Sequence, residues 1–339
     1  MSAIEGRYLG HALWLDQPGA PLRPGPLDLP APAPDEVLLR VSACGVCRTD
    51  LHVADGELPD PHLPLVLGHE VVGRVIAVGA GVSGLSPGQR VGVPWLGATC
   101  GRCAYCASGR ENLCDAAEFT GYTRLGGYAS LLLAKAHFTL PLPEGLDDLR
   151  AAPLLCAGLI GWRALRMAGD ARVLGIFGFG AAAHLIAQIA VWQGREVHAF
   201  TRAGDTAAQA LALSLGCASA TGSEAAATAS LDAALIFAPV GGLVPRALRS
   251  VRKGGTVVCA GIHMSEIPAF AYALLWGERT VRSVANLTRA DGLEFLELAA
   301  RVPLRVEVQP YALAQANAAL DDLRAGRVRG AAVLDCRAP

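Results

Sequence analysis

The stretch RVLGIFGFGAAAHLIAQIA, residues 172–190, joins an apolar, strand-like run to an alanine-rich, helix-like run. At the junction, Gly178, Gly180 and Ala183 form the pattern G-x-G-x-x-A. Gly178 permits a tight turn, Gly180 lets a pyrophosphate approach the backbone, and Ala183 allows close packing where the helix N-terminus faces the anion. An ordinary glycine turn is the alternative, but the strand-to-helix context favours a dinucleotide site.

Alternating strand and helix patterns continue beyond this turn. They comprise the strand REVHAF, a helix near residues 207–215, and the strands LDAALIFAP and GGTVVCAGI. This alternation predicts a parallel sheet with right-handed crossovers. After Asn286 the elements become mixed, with a helix in DGLEFLELAAR and a final strand in GAAVLDC.

The first 150 residues have a different pattern, with short β-rich runs such as EVLLRVSAC, EVVGRVIAVG and QRVGVPW between glycines and prolines. These runs predict an antiparallel, barrel-like domain with few helices. The chain has 339 residues, more than one hydrophobic core usually holds. We therefore predict a two-domain α/β protein. Residues 1–155 form the β-rich domain, residues 156–286 the doubly wound coenzyme domain, and residues 287–339 return to the first domain.

The composition argues against several classes of protein. Hydrophobic residues make up 52% of the chain and charged residues 17%, too few charges for a disordered protein. The net charge is −1 and the sequence has no basic run, so we expect no nucleic-acid partner. No stretch approaches the roughly 18 to 20 apolar residues of a membrane helix, and the first residues lack an apolar signal-peptide core. We expect a soluble, cytoplasmic protein.

Four cysteines lie close together in the segment CGRCAYCASGRENLC. In a reducing compartment such a cluster more often holds a metal as thiolates than forms disulfides. The spacing C-x2-C-x2-C-x7-C lets four sulfurs close the tetrahedron of a structural zinc site. Unliganded thiols and an iron–sulfur cluster are alternatives, but ferredoxin runs have a shorter last gap followed by proline, whereas Asp115 follows here. The predicted zinc ligands are Cys100, Cys103, Cys106 and Cys114.

The strand REVHAF ends at Phe200, and Thr201 and Arg202 follow where an acidic residue would bind the ribose 2′-hydroxyl of NAD. Without that carboxylate nothing repels a 2′-phosphate, and a guanidinium can bind phosphate through two hydrogen bonds. The sequence thus favours NADP over NAD. Two alternatives stay open: Arg202 is solvated and other contacts hold NAD, or Asp205 supplies the acid after the loop bends back.

Three further residues have the chemistry of a catalytic metal site. Cys47 in CGVCRTDLH, His69 in GHE, and Cys156 can supply mixed sulfur and nitrogen ligands to one ion. Three ligands leave a fourth position for water or substrate, which a catalytic zinc needs and a closed four-cysteine site lacks. Taken singly, each of these residues is more often a packed thiol or a surface imidazole.

With these motifs in family order and spacing, the sequence resembles the zinc-dependent alcohol dehydrogenases of the medium-chain dehydrogenase/reductase superfamily. The resemblance covers nearly the whole chain, through CGVCRTDLH, GHEVVGRVIAVGAGV, the four-cysteine segment, CAG and the glycine-rich turn. It implies a GroES-like catalytic domain and a Rossmann coenzyme domain. It also implies hydride transfer between a nicotinamide cofactor and a primary or secondary alcohol or the corresponding carbonyl compound, by a tetramer or dimer.

The resemblance assigns Cys47, His69 and Cys156 as ligands of the catalytic zinc, with Glu70 beside the metal as an occasional substitute ligand. Asp50 matches the carboxylate that orients the ligating histidine. The zinc acts as a Lewis acid that lowers the pKa of the alcohol, and the cofactor accepts the hydride.

The resemblance also assigns roles around these ligands. Arg48 matches a residue that contacts the cofactor pyrophosphate. Thr49 and His52 match a proton relay, in which a hydroxyl bridges the substrate oxygen to a ribose hydroxyl and then to an imidazole near the surface. Trp95 and Leu96 are similar to substrate-pocket positions, although an aromatic residue next to a leucine is as often plain core.

Some positions depart from the family pattern. Gln89 replaces a usual aspartate, Ser130 stands where many relatives have glutamate, and Thr201 lacks the acid noted above. None of these changes removes a zinc ligand, and we expect His184 and His263 not to bind metal. Two other functions are compatible with the sequence. One is a zinc-free quinone or enoyl reductase of the same superfamily, and the other is a non-catalytic NADP-binding redox sensor.

Overall fold

The computed structural model describes residues 3–4, 6–262 and 264–337. The chain divides into two compact units. The first unit comprises Met1–Cys156, Thr288–Ala300 and Val306–Pro339, and the second comprises Ala157–Leu287 and Arg301–Arg305. Among the described helices, none has both the length and the apolar character needed to cross a membrane.

Short strands predominate in the first half of the chain, and strands alternate with helices in the second half. In chain order, the strands are β1 (Ala3–Ile4), β2 (Arg7–Leu15), β3 (Arg23–Pro30), β4 (Glu36–Val46), β5 (Leu65–Val66), β6 (Glu70–Val78), β7 (Arg90–Val93), β8 (Leu96–Ala98), β9 (Glu118–Phe119), β10 (Leu131–Lys135), β11 (Leu140–Pro141), β12 (Val173–Phe177), β13 (Glu196–Thr201), β14 (Ser219–Gly222), β15 (Leu231–Ile236), β16 (Val251–Cys259), β17 (Thr280–Ser283), β18 (Val308–Ala312) and β19 (Ala331–Asp335). The α-helices are α1 (Arg48–Ala54), α2 (Ala104–Ala107), α3 (Asp148–Ala151), α4 (Ala157–Met167), α5 (Ala181–Trp192), α6 (Thr206–Ser214), α7 (Leu243–Ser250), α8 (Arg289–Ala299) and α9 (Ala316–Arg324).

The first unit is β-rich and mainly antiparallel. Its larger sheet has the order β11-β7-β6-β4-β19-β18, with β10 also paired to β4. A smaller sheet joins β1, β2 and β3, with β5 added to β2. The central strand β4 is buried over most of its length because it packs on both faces, and its register with β6 shifts at Leu38/Leu39 and at Val41/Ala43. Such irregularities bend and twist a strand, as a barrel-like sheet requires.

The second unit contains a six-stranded parallel sheet in the order β14-β13-β12-β15-β16-β17. The strand order reverses at β12, so this is a doubly wound sheet with its switch point next to the glycine-rich turn. Its inner strands are buried apolar runs, as expected for a parallel sheet covered on both faces. The predicted fold class, a β-rich domain with a doubly wound α/β domain, is therefore confirmed.

The C-terminal segment does not stay with the first unit throughout. Residues 301–305 group with the second unit, whereas residues 288–300 and 306–339 group with the first. Two hydrogen bonds join this segment to α5: the side-chain amide of Gln188 donates to the Arg305 carbonyl at 3.0 Å and accepts from the Arg305 amide at 2.8 Å. Spacing of apolar residues carries no signal for such a contact, since it depends on one long polar side chain.

Candidate metal centre and cofactor site

The junction between β4 and α1 positions Cys47. The strand ends at Val46, and Cys47 keeps an extended backbone, with φ −116° and ψ 164°, before the helix begins. A carboxylate oxygen of Asp50 accepts a hydrogen bond of 2.8 Å from the Cys47 amide. This bond satisfies a backbone donor at the start of the helix and fixes the backbone that carries the thiol.

His69 and Glu70 reach the same place because β6 pairs with β4. In this pair Glu70 lies opposite Gly45, two residues before Cys47. A Cβ at Gly45 would lie 1.7 Å from a carboxylate oxygen of Glu70, so only glycine leaves room for this buried side chain. Cys156 follows directly after a 3₁₀ turn over Ala152–Leu155. Three remote segments of the first unit thus converge on one point.

The donor atoms of Cys47, His69, Glu70 and Cys156 all lie within 4.8 Å of one another. The two sulfurs are 3.8 Å apart. His69 is fully buried, and its Nδ1 lies 3.0 Å from a carboxylate oxygen of Asp50. Because the carboxylate holds the proton on Nδ1, the lone pair is on Nε2, which faces away from Asp50.

The fit of this cluster to a metal ion depends on His69 Nε2. This atom is buried and has no hydrogen-bonding partner among the described residues. A buried polar atom left without a partner costs free energy, so such atoms usually mark a site for an ion, a water or a ligand. Two sulfurs and one imidazole nitrogen are the donors that zinc prefers. The residues present therefore fit a zinc ion.

The protonation states around the cluster are linked. A hydrogen bond from Cys156 lowers the pKa of the Cys47 thiol well below its usual value, and Cys47 raises the pKa of Cys156 well above its usual value. The two sulfurs therefore share one proton. Burial, and then the charge on Cys47, raise the pKa of the Glu70 carboxyl well above its usual range. A divalent cation would replace the shared proton, since metal ligands bind in their deprotonated form.

The second cluster contains four sulfurs. Cys100, Cys103, Cys106 and Cys114 have sulfur atoms within 4.8 Å of one another. Backbone amides point at these sulfurs: the Cys103 amide lies 3.3 Å from Cys100 Sγ, and the Cys106 amide lies 3.5 Å from Cys103 Sγ. Hydrogen bonds from the Arg102 and Cys103 amides lower the pKa of Cys100 to about 6. All ten cysteines of the chain are free thiols, so no disulfide competes with metal binding.

Helix α1 carries the predicted relay residues outward from the first cluster. The Thr49 hydroxyl oxygen is buried and lies 4.0 Å from Cys47 Sγ. Arg48 is exposed. His52 lies one turn further along, and its Nδ1 contacts the carboxylate of Glu57. Glu57 belongs to none of the motifs recognised in the sequence, although a glycine at the helix end followed by an acidic residue is a usable signal.

An aromatic group adjoins the first cluster. Trp95 meets His69 edge to face, with ring centroids 5.0 Å apart. The indole also stacks on Phe119 and Tyr122, with centroid distances of 5.3 and 5.7 Å. Its neighbour Leu96 is fully buried in the core. Trp95 thus belongs to an aromatic wall beside the predicted metal ligands, whereas Leu96 offers no exposed surface.

In the second unit, the glycine-rich turn joins β12 to α5. Gly178 has φ +87°, and a Cβ there would lie 2.7 Å from the side chain of Ala238, so the position requires glycine. At Gly180, the N-cap of α5, no heavy atom lies within 4 Å of the place a Cβ would take. Ala183 is fully buried in the first turn of the helix. The open space before a helix N-terminus suits a dinucleotide pyrophosphate.

The end of β13 bears on cofactor choice. Thr201 is buried, and its hydroxyl donates to the Arg202 carbonyl at 2.9 Å, while the Arg202 side chain is exposed. Asp205 caps α6, because a carboxylate oxygen accepts from the Ala208 amide at 3.1 Å. A carboxylate engaged in this cap is less available to a ribose hydroxyl.

The remaining residues singled out in the sequence lie outside both clusters. Gln89 accepts a hydrogen bond from the Ser86 amide at 3.1 Å, within a surface turn. The Ser130 hydroxyl accepts from a backbone amide of β2. His184 is buried in α5 and belongs to neither group of metal-binding residues found in the described part of the chain. His263 lies outside the described residues.

Comparison with known proteins agrees with this geometry. Residues 33–144 match the family model of the alcohol dehydrogenase GroES-like domain. The chain is 47% identical over 331 residues to the probable alcohol dehydrogenase AdhA of Mycobacterium tuberculosis. That alignment covers 92% of this chain and 95% of the relative. It is 37% identical over 328 residues to an alcohol dehydrogenase of Geobacillus stearothermophilus, covering 93% of this chain and 96% of that one.

Solved structures give the same result. A cinnamyl alcohol dehydrogenase of Sorghum bicolor superposes with a TM-score of 0.89 at 27% identity, covering 98% of this chain and 99% of that one. A cobalt- and zinc-bound alcohol dehydrogenase of Pyrobaculum aerophilum gives a TM-score of 0.86 at 26% identity, covering 97% of this chain and 100% of that one. These similarities do not favour the zinc-free reductase or the redox sensor. Because its full-length relatives are alcohol dehydrogenases, the chain belongs to the zinc-type, medium-chain alcohol dehydrogenases.

Proposed function

We propose that this alcohol dehydrogenase binds two zinc ions, one for catalysis and one for structure. Cys47, His69 and Cys156 are the proposed catalytic ligands, with Glu70 as an occasional fourth donor. The observation that carries this proposal is the buried Nε2 of His69, which has no hydrogen-bonding partner among the described residues. A ring nitrogen of the same residue lies within 4.8 Å of both sulfurs. Cys100, Cys103, Cys106 and Cys114 are the proposed ligands of the structural zinc.

The chain's own residues then have definite tasks in alcohol oxidation. Bound zinc supplies Lewis-acid stabilisation of the alkoxide, and the nicotinamide ring accepts the hydride. Asp50 keeps the His69 ring in the tautomer that presents Nε2. Thr49 is the proposed hydrogen-bonding partner of the substrate oxygen, and His52 is the group that passes the alcohol proton to solvent.

The proposed cofactor is NADP rather than NAD. Support comes from the exposed guanidinium of Arg202 and from Asp205, whose carboxylate is engaged in capping α6. Gly178, Gly180 and Ala183 are the proposed pyrophosphate-binding turn, Thr201 shapes the end of β13, and Arg48 is a proposed second contact to the pyrophosphate. A guanidinium binds a phosphate monoester through paired, charge-assisted hydrogen bonds.

The proposed substrate is a small alcohol or aldehyde with an apolar body. Trp95 is only partly buried and meets His69 edge to face, so it is the proposed wall of the substrate pocket. Leu96, the other predicted pocket residue, is fully buried, and its proposed role is to support Trp95 from the core.

We further propose a cytoplasmic homo-oligomer, either a dimer or a tetramer. Tyr272 and Trp276 have 68% and 67% of their surfaces exposed, and they precede the edge strand β17. Large exposed aromatic side chains beside an unpaired strand edge are typical of a surface that a second subunit covers. A cytoplasmic location suits the free thiols, since thiolate ligands persist in a reducing compartment.

One sample can test the whole proposal. Metal analysis of the purified protein should give two zinc ions per chain, and steady-state assays across an alcohol and aldehyde panel should show faster turnover with NADPH than with NADH. A metal-free protein that reduces quinones or enones would instead identify a zinc-free reductase. A folded, zinc-loaded protein with no turnover of any alcohol would leave only the redox sensor.

A further inference from the structure

The C-terminus of α1 brings an acidic residue back onto the helix. Gly56 has φ +77°, and its amide donates to the Val53 carbonyl at 3.2 Å. The Glu57 amide then donates to the His52 carbonyl at 2.8 Å. These two bonds form a Schellman motif, which reverses the chain direction after the helix. A Cβ at Gly56 would lie 2.9 Å from Pro18, so both φ and space require glycine there.

The reversal brings the Glu57 side chain to the imidazole of His52. A carboxylate oxygen of Glu57 contacts Nδ1 of His52. The imidazole is 14% exposed, whereas the carboxylate is 55% exposed. The ring is therefore sheltered, while its partner reaches water. A carboxylate on Nδ1 holds a proton on that atom, so Nε2 is the ring nitrogen that exchanges a proton.

We propose that Glu57 is a positioning residue for the proton relay, which orients the His52 imidazole and stabilises the imidazolium that forms during alcohol oxidation. This inference depends on the proposed relay role of His52. In each turnover the alcohol gives a hydride to NADP⁺ and a proton to the relay. The imidazole takes that proton on Nε2 and then releases it to water. Glu57 forms and breaks no covalent bond, and its charge offsets the transient positive charge on the ring.

Apart from Arg48, which is exposed, the other charges near α1 have partners of their own. They are Asp50 and Asp55 on or beside the helix, Asp321, Asp322 and Arg324 on α9, and Asp16 with Arg23 next to the loop that packs on the helix end. Asp50 accepts from the Cys47 amide and from His69. Asp55, two residues before Glu57, pairs with Arg324 at 2.7 Å. Glu57 is thus the carboxylate of this turn that is directed at the imidazole, and Asp55 is a matched control.

The test is the pH profile of kcat/KM for alcohol oxidation by the zinc-loaded enzyme. In Glu57→Gln the shape of the side chain is kept and the negative charge beside the His52 imidazole is lost. We expect the acidic limb of the profile to move to lower pH by about 0.5 to 1 unit, because the lost charge is partly exposed. The plateau should fall by about 3- to 10-fold. In Glu57→Asp, which restores the charge, the limb should move back towards the wild-type position.

Two further variants separate the possible failures. Asp55→Asn should leave the profile unchanged, and zinc content and thermal midpoint should be equal in all Glu57 variants. If His52→Gln alters the profile while Glu57→Gln superimposes on the wild type, the inference is wrong and the proposed relay stands. If His52→Gln also leaves the profile unchanged, the relay role of His52 is wrong, and the role of Glu57 is wrong with it.

Discussion

The first unit contains two clusters of metal-ligating side chains that are built in opposite ways. The four-cysteine cluster comes from one short loop, Cys100–Cys114, and backbone amides of the same loop donate to its sulfurs. The cluster of Cys47, His69, Glu70 and Cys156 joins segments up to 109 residues apart in the sequence. Its histidine is fully buried, and a carboxylate from α1 fixes that ring.

Because of this difference, we expect the four-cysteine loop to contribute to stability and the mixed cluster to contribute to catalysis. A loop with four sulfur ligands can close around an ion with few contacts to the rest of the fold, and it keeps no position for substrate. The mixed cluster can form only after β4, β6 and the turn before Cys156 have folded. Once folded, the mixed cluster places an imidazole nitrogen and two sulfurs around a point next to Thr49 and Trp95. Ligand loss should therefore affect turnover at the mixed cluster and folding at the loop.

The largest effect is expected from Cys47→Ala, which removes a ligand of the mixed cluster. Alcohol oxidation should fall by about 10³-fold or more, because the Lewis acid is lost or misplaced. The far-ultraviolet circular dichroism should stay unchanged. Cys44→Ala is the control, since Cys44 is a buried cysteine of β4 that lies outside the cluster. If Cys47→Ala keeps its turnover, the mixed cluster is not catalytic, and the proposed difference in role between the two clusters is wrong.

The second largest effect is expected from Asp50→Asn, which keeps the shape of the residue that holds His69. Zinc affinity or kcat/KM should fall by about 10- to 100-fold, because the tautomer of the ring is no longer fixed. Competition with a chelator and steady-state kinetics would measure the two quantities. The control is Asp291→Asn in α8, because Asp291 caps its helix through the Thr288 amide at 2.9 Å and lies outside both clusters. An equal loss of zinc affinity and kcat/KM in both variants would show that Asp50 acts only as a helix cap.

The sequence was sufficient to predict features that depend on residue type and short spacing. The order of strands and helices, the glycine-rich turn and the cysteine loop are of this kind. The fold class followed from these features, because apolar residues repeat with a different period in strands than in helices. The convergence of Cys47, His69 and Cys156 was a hypothesis that rested on their ligand chemistry and on a family resemblance. Its physical reason is a strand register, Gly45 opposite Glu70, that no local pattern reveals.

Features that depend on individual side-chain contacts could not be predicted in this way. The contact between Glu57 and His52 requires the reversed chain at Gly56. The hydrogen bonds between residues 301–305 and α5 come from the Gln188 side-chain amide. In both cases a polar side chain forms a hydrogen bond, and the spacing of apolar residues in the sequence cannot predict its partner.

A smaller effect is expected from aromatic residues beside the two clusters. Trp95→Ala should lower kcat/KM for benzyl alcohol by about 10-fold, which corresponds to a lost aromatic contact of roughly 1.4 kcal/mol. The loss for ethanol should be smaller, because ethanol presents no ring. Tyr105→Ala is the control, since Tyr105 lies in the four-cysteine loop, where it is 36% exposed and contacts Arg110. Equal losses for both alcohols would show that Trp95 only supports His69.

The smallest effect on turnover is expected from Cys103→Ala, which opens the four-cysteine loop. The zinc content should fall from two to one per chain. The value of kcat should change by about threefold or less, because the mixed cluster, which is the proposed site of substrate binding, keeps its ligands. The thermal midpoint should fall by on the order of 5 °C, since metal binding at this loop contributes to folding. Arg102→Ala, next to the ligand but outside the cluster, should keep both zinc ions. A loss of turnover as large as that of Cys47→Ala, without unfolding, would mean that the loop takes part in the chemistry and that the contrast between the two clusters is wrong.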